Sequence, residues 1–264
     1  MSEASSGKKG ILVVSFGTSY EDTRKLTIEA IESKIKNSFQ EYEIRRAFTS
    51  GIIRKKIKRN ENIHIDSTKE ALDRMKADGF NEVIVQPLHI IPGIEYDAVK
   101  ETVNEYTNLF DKIIIGTPLL YEEKEYEEAV SALKNQISTM KSNEGVVLMG
   151  HGTTHYSNAC YALLQYILEE SELENIFVGT VEGYPTLDNV IRRLKKNKID
   201  NVVLMPFMLV AGDHANNDMS GDEEDSWKNI LKNNGIQSTV YLHGLGENLS
   251  IQDIYIEKIK NLLL

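Results

Sequence analysis

"DRMKADGFNEVIVQPLHIIPGIE" (73–95) and "RRLKKNKIDNVVLMPFMLVAGDH" (192–214) align without a gap at a constant offset, so that Pro87 falls on Pro206 and Gly93 on Gly212. Each is a helical stretch, then a continuous apolar run, then a turn. A second pair, "ILVVSFGTS" (11–19) and "VVLMGHGTT" (146–154), places Gly17 on Gly152. Apolar runs without polar alternation suit strands covered on both faces, which means parallel sheets flanked by helices. The chain is therefore expected to be an α/β protein of two similar lobes, 1–122 and 123–264, each a parallel sheet with helices on it and with an active-site cleft between them.

The rest of the chain agrees. Strand-like runs "EIRRAFTS" (43–50), "KIIIGTPLL" (112–120), "NIFVGTVEG" (175–183) and "STVYLHGLG" (238–246) alternate with amphipathic stretches such as "STKEALDRMKADG" (67–79) and "TLDNVIRRLKKN" (186–197). The boundary near residue 122 has no marked linker.

Composition narrows the function. Of 264 residues, 41% are hydrophobic and 27% charged, as in ordinary soluble proteins. The net charge of −10 argues against nucleic acid as a partner, because phosphate binding needs basic surface. The opening "MSEASSGKKG" is polar, so no secretory signal is expected, and no apolar run is long enough for a membrane helix. A cytoplasmic protein is expected. Cys160 is the sole cysteine, which excludes an intrachain disulfide and a thiolate zinc site.

Where the repeats differ is where chemistry is expected. Ligands of open parallel sheets bind at the C-terminal ends of strands. There, Glu95 matches His214 and Phe16 matches His151. His151 is flanked by Gly150 and Gly152 directly after a buried run, and His214 closes another. With Glu95 they make a His₂-carboxylate set that suits a first-row divalent metal. His89, within an apolar run, is read as a hydrogen-bonded core residue or as support for Glu95, six residues on. His64 and His243 are read as surface and structural residues. His155 is four residues beyond His151, but no Glu follows His151 as a zincin helix requires. No G-x-S-x-G elbow or Walker lysine is present. The acidic run Asp222–Asp225 reads as a solvated loop. From Arg45 to Arg59 the chain has basic residues and no acidic one. Most belong to a solvated helix face, but Arg45, Arg46 and Arg54 are candidates to meet an anionic ligand.

At these residues the chain resembles a known family. "ILVVSFGTSY" (11–20), "RAFTSGIIRK" (46–55), "LHIIPGIEY" (88–96), "MGHG" (149–152), "LMPFMLVAGDHANNDM" (204–219), "DSWK" (225–228) and "GLGEN" (244–248) are similar, in order, to the anaerobic cobalt chelatases. These are sirohydrochlorin cobaltochelatases of the class II chelatases, with a ferrochelatase-like fold. The resemblance implies insertion of Co²⁺, as substrate, into a tetrapyrrole in cobalamin biosynthesis, with no organic cofactor. The family's metal-binding histidines fall on His151 and His214 and its essential glutamate on Glu95, while His89 matches a family histidine. Pro92 and Ile94 stand where relatives can carry polar residues, which leaves metal choice open. Substrate carboxylates are expected to meet Arg45, Arg46, Arg54 and the turns at Ser15, Gly17 and Thr18 and at "HGTTH" (151–155), and His89 is expected at the substrate, orienting Glu95 or relaying a proton. Asp213, Asn216, Asn217 and Asp218 are expected to fix the loop and orient His214. Fe²⁺ or Ni²⁺ insertion, and a tetrapyrrole or metal carrier without turnover, are the alternatives. A homo-oligomer is compatible with the sequence.

Overall fold

The computed structural model describes residues 7–137, 144–171, 173 and 175–264. The polar residues 1–6, part of the stretch expected to carry no secretory signal, lie outside the described residues. The first sheet is formed by β1 (Lys8–Ser15), β2 (Glu43–Phe48), β3 (Phe80–Pro87) and β4 (Lys112–Ile115). The second is formed by β5 (Gly145–Gly150), β6 (Ile176–Thr180), β7 (Asn201–Pro206) and β8 (Gln237–Val240). Their orders are β2-β1-β3-β4 and β6-β5-β7-β8, all pairs parallel. The two orders are the same with four added to each label. The repeat extends to single hydrogen bonds. Leu88 N donates to Val14 C=O at 2.7 Å, and the matching Phe207 N donates to Met149 C=O at 2.8 Å.

Helices α1 (Glu21–Leu26), α2 (Ile28–Ser38), α3 (Gly51–Glu61), α4 (Thr68–Ala77) and α5 (Ile94–Glu105) connect the first sheet. α6 (Glu123–Ile137) leads to the second, which carries α7 (Ala159–Glu170), α8 (Leu187–Lys196) and α9 (Trp227–Asn233). α10 (Leu249–Asn261) ends the chain. α4 starts where Ser67 and Glu70 cap one another: Ser67 N donates to Glu70 Oε2 at 2.7 Å and Glu70 N to Ser67 Oγ at 3.3 Å. Such a cap stabilises a helix by about 1 kcal/mol.

One face of the first sheet buries Leu12, Val14, Val83 and Val85 against Leu72 and Met75 of α4 and Val99 of α5. One face of the second buries Val147, Met149 and Leu204 against Val190, Leu194 and Trp227. In the latter, Gly179 gives Trp227 its room, since a Cβ there would lie 2.9 Å from the indole.

The chain divides into two compact units, one ending at Leu119 but also including Gln252–Leu264, the other Leu120–Ile251. The C-terminal helix thus returns to the first unit, unlike the expected second lobe of 123–264. The reason is packing: fully buried Tyr255 donates its O–H to Leu88 C=O at 3.1 Å, and Lys258 donates to Thr117 Oγ1 at 3.0 Å. Among the described residues, no helix is long and apolar enough to cross a membrane.

Candidate metal centre

The strands stop just short of the residues that matter. β5 ends at Gly150, β6 at Thr180 and β7 at Pro206, and the three segments that follow carry His151, Glu182 and His214. One ligand atom from each of these three side chains lies within 4.8 Å of the others. The imidazoles meet edge to face, with centroids 4.6 Å apart at 88°. His151 Nδ1 stands 3.9 Å from a Glu182 carboxylate oxygen.

Each histidine is oriented through Nδ1. In His151 that nitrogen is 2.8 Å from Gly152 C=O, and in His214 it is 2.6 Å from the Asp218 carboxylate. A carbonyl only accepts, and an ionised carboxylate only accepts, so both Nδ1 atoms carry a proton, and in the neutral rings Nε2 is the atom with the lone pair. A carboxylate behind an imidazole also makes it a better donor to a metal. His214 heads a π-helical turn, Ala215–Met219, and this wider turn holds Asp218 beside it. Asn216 Nδ2 anchors the turn to Gly212 C=O at 2.7 Å. Side-chain exposures of 46% for His151, 31% for His214 and 58% for Glu182 leave the set open to an incoming ion.

The His151 and Glu182 loops are locked together. Glu182 N donates to His151 C=O at 2.8 Å. Asn158 accepts from Thr153 N at 3.1 Å and donates to Tyr184 C=O at 2.7 Å, bridging the two loops. Gly152, at φ +79°, comes so close that a Cβ would sit 2.5 Å from Gly183 N. Beneath it, the Tyr161 hydroxyl accepts from Gly152 N at 3.3 Å, and burial pushes that phenol up to about 12.

The first unit has no such set at the matching strand ends. Ser50 N donates to Phe16 C=O at 3.3 Å, the counterpart of the Glu182–His151 bond, so Ser50 stands where Glu182 does and Phe16 where His151 does. Glu95 is exposed on the first turn of α5. His89 has both ring nitrogens buried and without a partner, although the residue is partly exposed, so the hydrogen-bonded core reading does not hold. Burial lowers its pKa to about 4, so the ring is neutral at neutral pH.

The expected cationic contacts change most. Arg46 is held by Glu32, with Nε at 2.8 Å, and by Glu29 at 3.2 Å. Arg45 is held by Glu43 at 2.7 Å and Asp78 at 2.9 Å. Both guanidiniums are thus paired within the unit. Arg54 pairs with Glu70 at 3.0 Å through one terminal nitrogen only. Ser15 and Thr18 are buried beside Gly17, which has φ +93°. His155 accepts from Ser157 N and caps a short 3₁₀ turn, so it does not share a helix face with His151. Asp222 is paired with Lys228 at 3.1 Å. Among the described residues, His64, Asp66 and Glu70 form a second carboxylate–imidazole group, but Arg74 and Arg54 already occupy its carboxylates.

The sequence reading did not find Glu182. Its signal was the neighbouring strand: β6 pairs with β5, so "TVEG" (180–183) ends beside "GHG" (150–152).

With this geometry established, comparison with known proteins decides the family. The family model described as Cobalt chelatase (CbiK) matches residues 9–263. The chain belongs to the cobalt chelatase family. The chain is 41% identical over 256 residues to a sirohydrochlorin cobaltochelatase of Salmonella typhimurium, covering 97% of both chains. It is 32% identical to sirohydrochlorin cobaltochelatase CbiKC of Nitratidesulfovibrio vulgaris, over 96% of this chain and 89% of that one. Its fold is that of SirB from Bacillus subtilis, at TM-score 0.64 and 15% identity over 96% and 95% of the two chains. CbiX, at TM-score 0.59 and 16% identity over 97% and 100%, has the same fold. These likenesses give cobalt chelatase membership and a class II chelatase fold.

Proposed function

We propose that this protein is a sirohydrochlorin cobaltochelatase of the cytoplasm, needing no organic cofactor, and that its second unit presents Co²⁺ through His151, Glu182 and His214. The observation that carries the reading is the convergence of two imidazoles, each held through Nδ1, and one carboxylate at adjacent strand ends in a chain of this family. Two imidazoles and a carboxylate hold a divalent first-row ion while leaving coordination positions for incoming nitrogens. Insertion then exchanges water and protein ligands on Co²⁺ for four ring nitrogens, and two ring N–H protons leave.

Glu95 is the proposed acceptor of a ring proton or aid to metal delivery, with His89 in support. General-base help of this kind is worth about 10²–10⁴ in rate. His89, kept neutral by burial, can donate or accept a hydrogen bond without carrying charge. Arg45 and Arg46 are each paired with carboxylates of the first unit, so either would exchange a partner in order to meet a substrate carboxylate.

The test is an anaerobic assay with sirohydrochlorin and Co²⁺, Fe²⁺ or Ni²⁺, followed by absorbance. Turnover well beyond one equivalent, fastest with Co²⁺, is expected; conversion that stops at one equivalent would leave only a carrier. Glu95→Gln should slow insertion while Co²⁺ still binds. A wild-type rate in that variant would remove the base role.

A further inference from the structure

Among the described residues, six buried side-chain polar atoms lack a hydrogen-bond partner: Ser15 Oγ, Thr49 Oγ1, Arg54 Nε, Gln86 Oε1 and both ring nitrogens of His89. All belong to the first unit, and none to the second, although the two sheets have the same strand order. Buried polar groups are normally satisfied, so such a concentration in one of two copies marks where ordered water or a ligand bonds. Gln86 is explained by packing, since its amide nitrogen is bonded to Pro87 and Thr117 carbonyls and its oxygen lies against Gly116.

The others cluster at strand ends. Ser15 pairs with Phe48 and Val14 with Pro87 in the sheet register. Carrying both registers past the strand ends puts Phe16 between Thr49 and His89, and alternation gives those three a common face. Ser15 belongs to the opposite face. The chain after Thr49 turns directly into α3, whose first turn carries Arg54. Arg54 keeps Nε–H unused while another of its nitrogens holds Glu70. Phe16 is 48% exposed, at the position where the second unit has His151.

We propose that Thr49 and Arg54 form a carboxylate clamp in the first unit, with Phe16 beside it as a flat apolar platform for the macrocycle and His89 as a flanking neutral donor. The matching strand ends of the two units then differ in chemistry: those of the second carry ligands for an ion, and those of the first carry donors for an anionic group. The acidic chain, with a net charge of −10, spares few cations for this task, and a hydroxyl with one Nε–H meets a carboxylate without adding net charge. This inference rests on the tetrapyrrole reading above.

Metal-free titration with sirohydrochlorin tests it without turnover. Thr49→Val keeps the side-chain shape and removes the hydroxyl. Arg54→Lys can keep the Glu70 ion pair and removes Nε–H. Each should weaken macrocycle binding about tenfold, as expected for one lost hydrogen bond to a charged group, while Co²⁺ affinity stays unchanged. Fully esterified sirohydrochlorin should bind wild type and both variants alike. If wild type binds sirohydrochlorin and both variants bind it as tightly, the clamp is wrong while the tetrapyrrole reading stands. If wild type does not bind the macrocycle at all, it is that reading that fails.

Discussion

At the scale of single residues, the metal set depends on what lies behind each imidazole. Asp218 holds His214 Nδ1 at 2.6 Å, so Asp218→Leu should lower Co²⁺ affinity by about 10–100-fold with little change in fold. Isothermal titration reads this, and an unchanged affinity would deny the carboxylate its orienting role. His89 makes a pH prediction. Its folded pKa, about 4, lies below the ordinary 6.5, so the unfolded chain binds more protons between those values and stability falls as pH drops through that window. The loss from this one group is up to about 3 kcal/mol. His89→Leu should therefore lose less stability than wild type in urea unfolding between pH 6.5 and 4; equal slopes would contradict it. His151 and His214 could be read from sequence because polar residues beside glycines interrupt apolar runs. Glu182 could not, because an acidic residue in a loop is ordinary until the strand beside it is known. The ion pairs of Arg45 and Arg46 were hidden for the same reason, since Asp78, Glu29 and Glu32 come from other segments, α2 among them.

At the scale of elements, the metal site is as rigid as the turns that carry it. Gly152 has φ +79° and no room for a Cβ, so Gly152→Ala strains the backbone and pushes the two loops apart. A loss of about 1–3 kcal/mol and a clear drop in Co²⁺ affinity are expected, read by thermal unfolding and metal titration. A stable variant with full affinity would show that the loops are not interlocked. Six of the eight strands could be read from apolar runs, as could the turns after them, whereas β2, "EIRRAF" (43–48), and β8, "QSTV" (237–240), are mixed and follow from the alternating order. The π-helical turn after His214 could not, because nothing in "HANNDM" (214–219) separates it from an ordinary helix start.

At the scale of the molecule, the duplication was legible because scaffold prolines and glycines kept their spacing while strand-end residues diverged. The return of the last helix was not, since an amphipathic helix does not say which sheet it will cover. Tyr255→Ala should destabilise the first unit by about 3–5 kcal/mol, because a fully buried aromatic ring and its bond to Leu88 are lost together. The central claim is that the second unit alone supplies the ion's protein ligands. X-ray absorption at the cobalt edge, on wild type and His214→Ala loaded with Co²⁺, measures this directly. The account predicts two imidazoles and a carboxylate around the ion in wild type, with one imidazole fewer and much weaker binding in the variant. An identical cobalt environment in both proteins would contradict it.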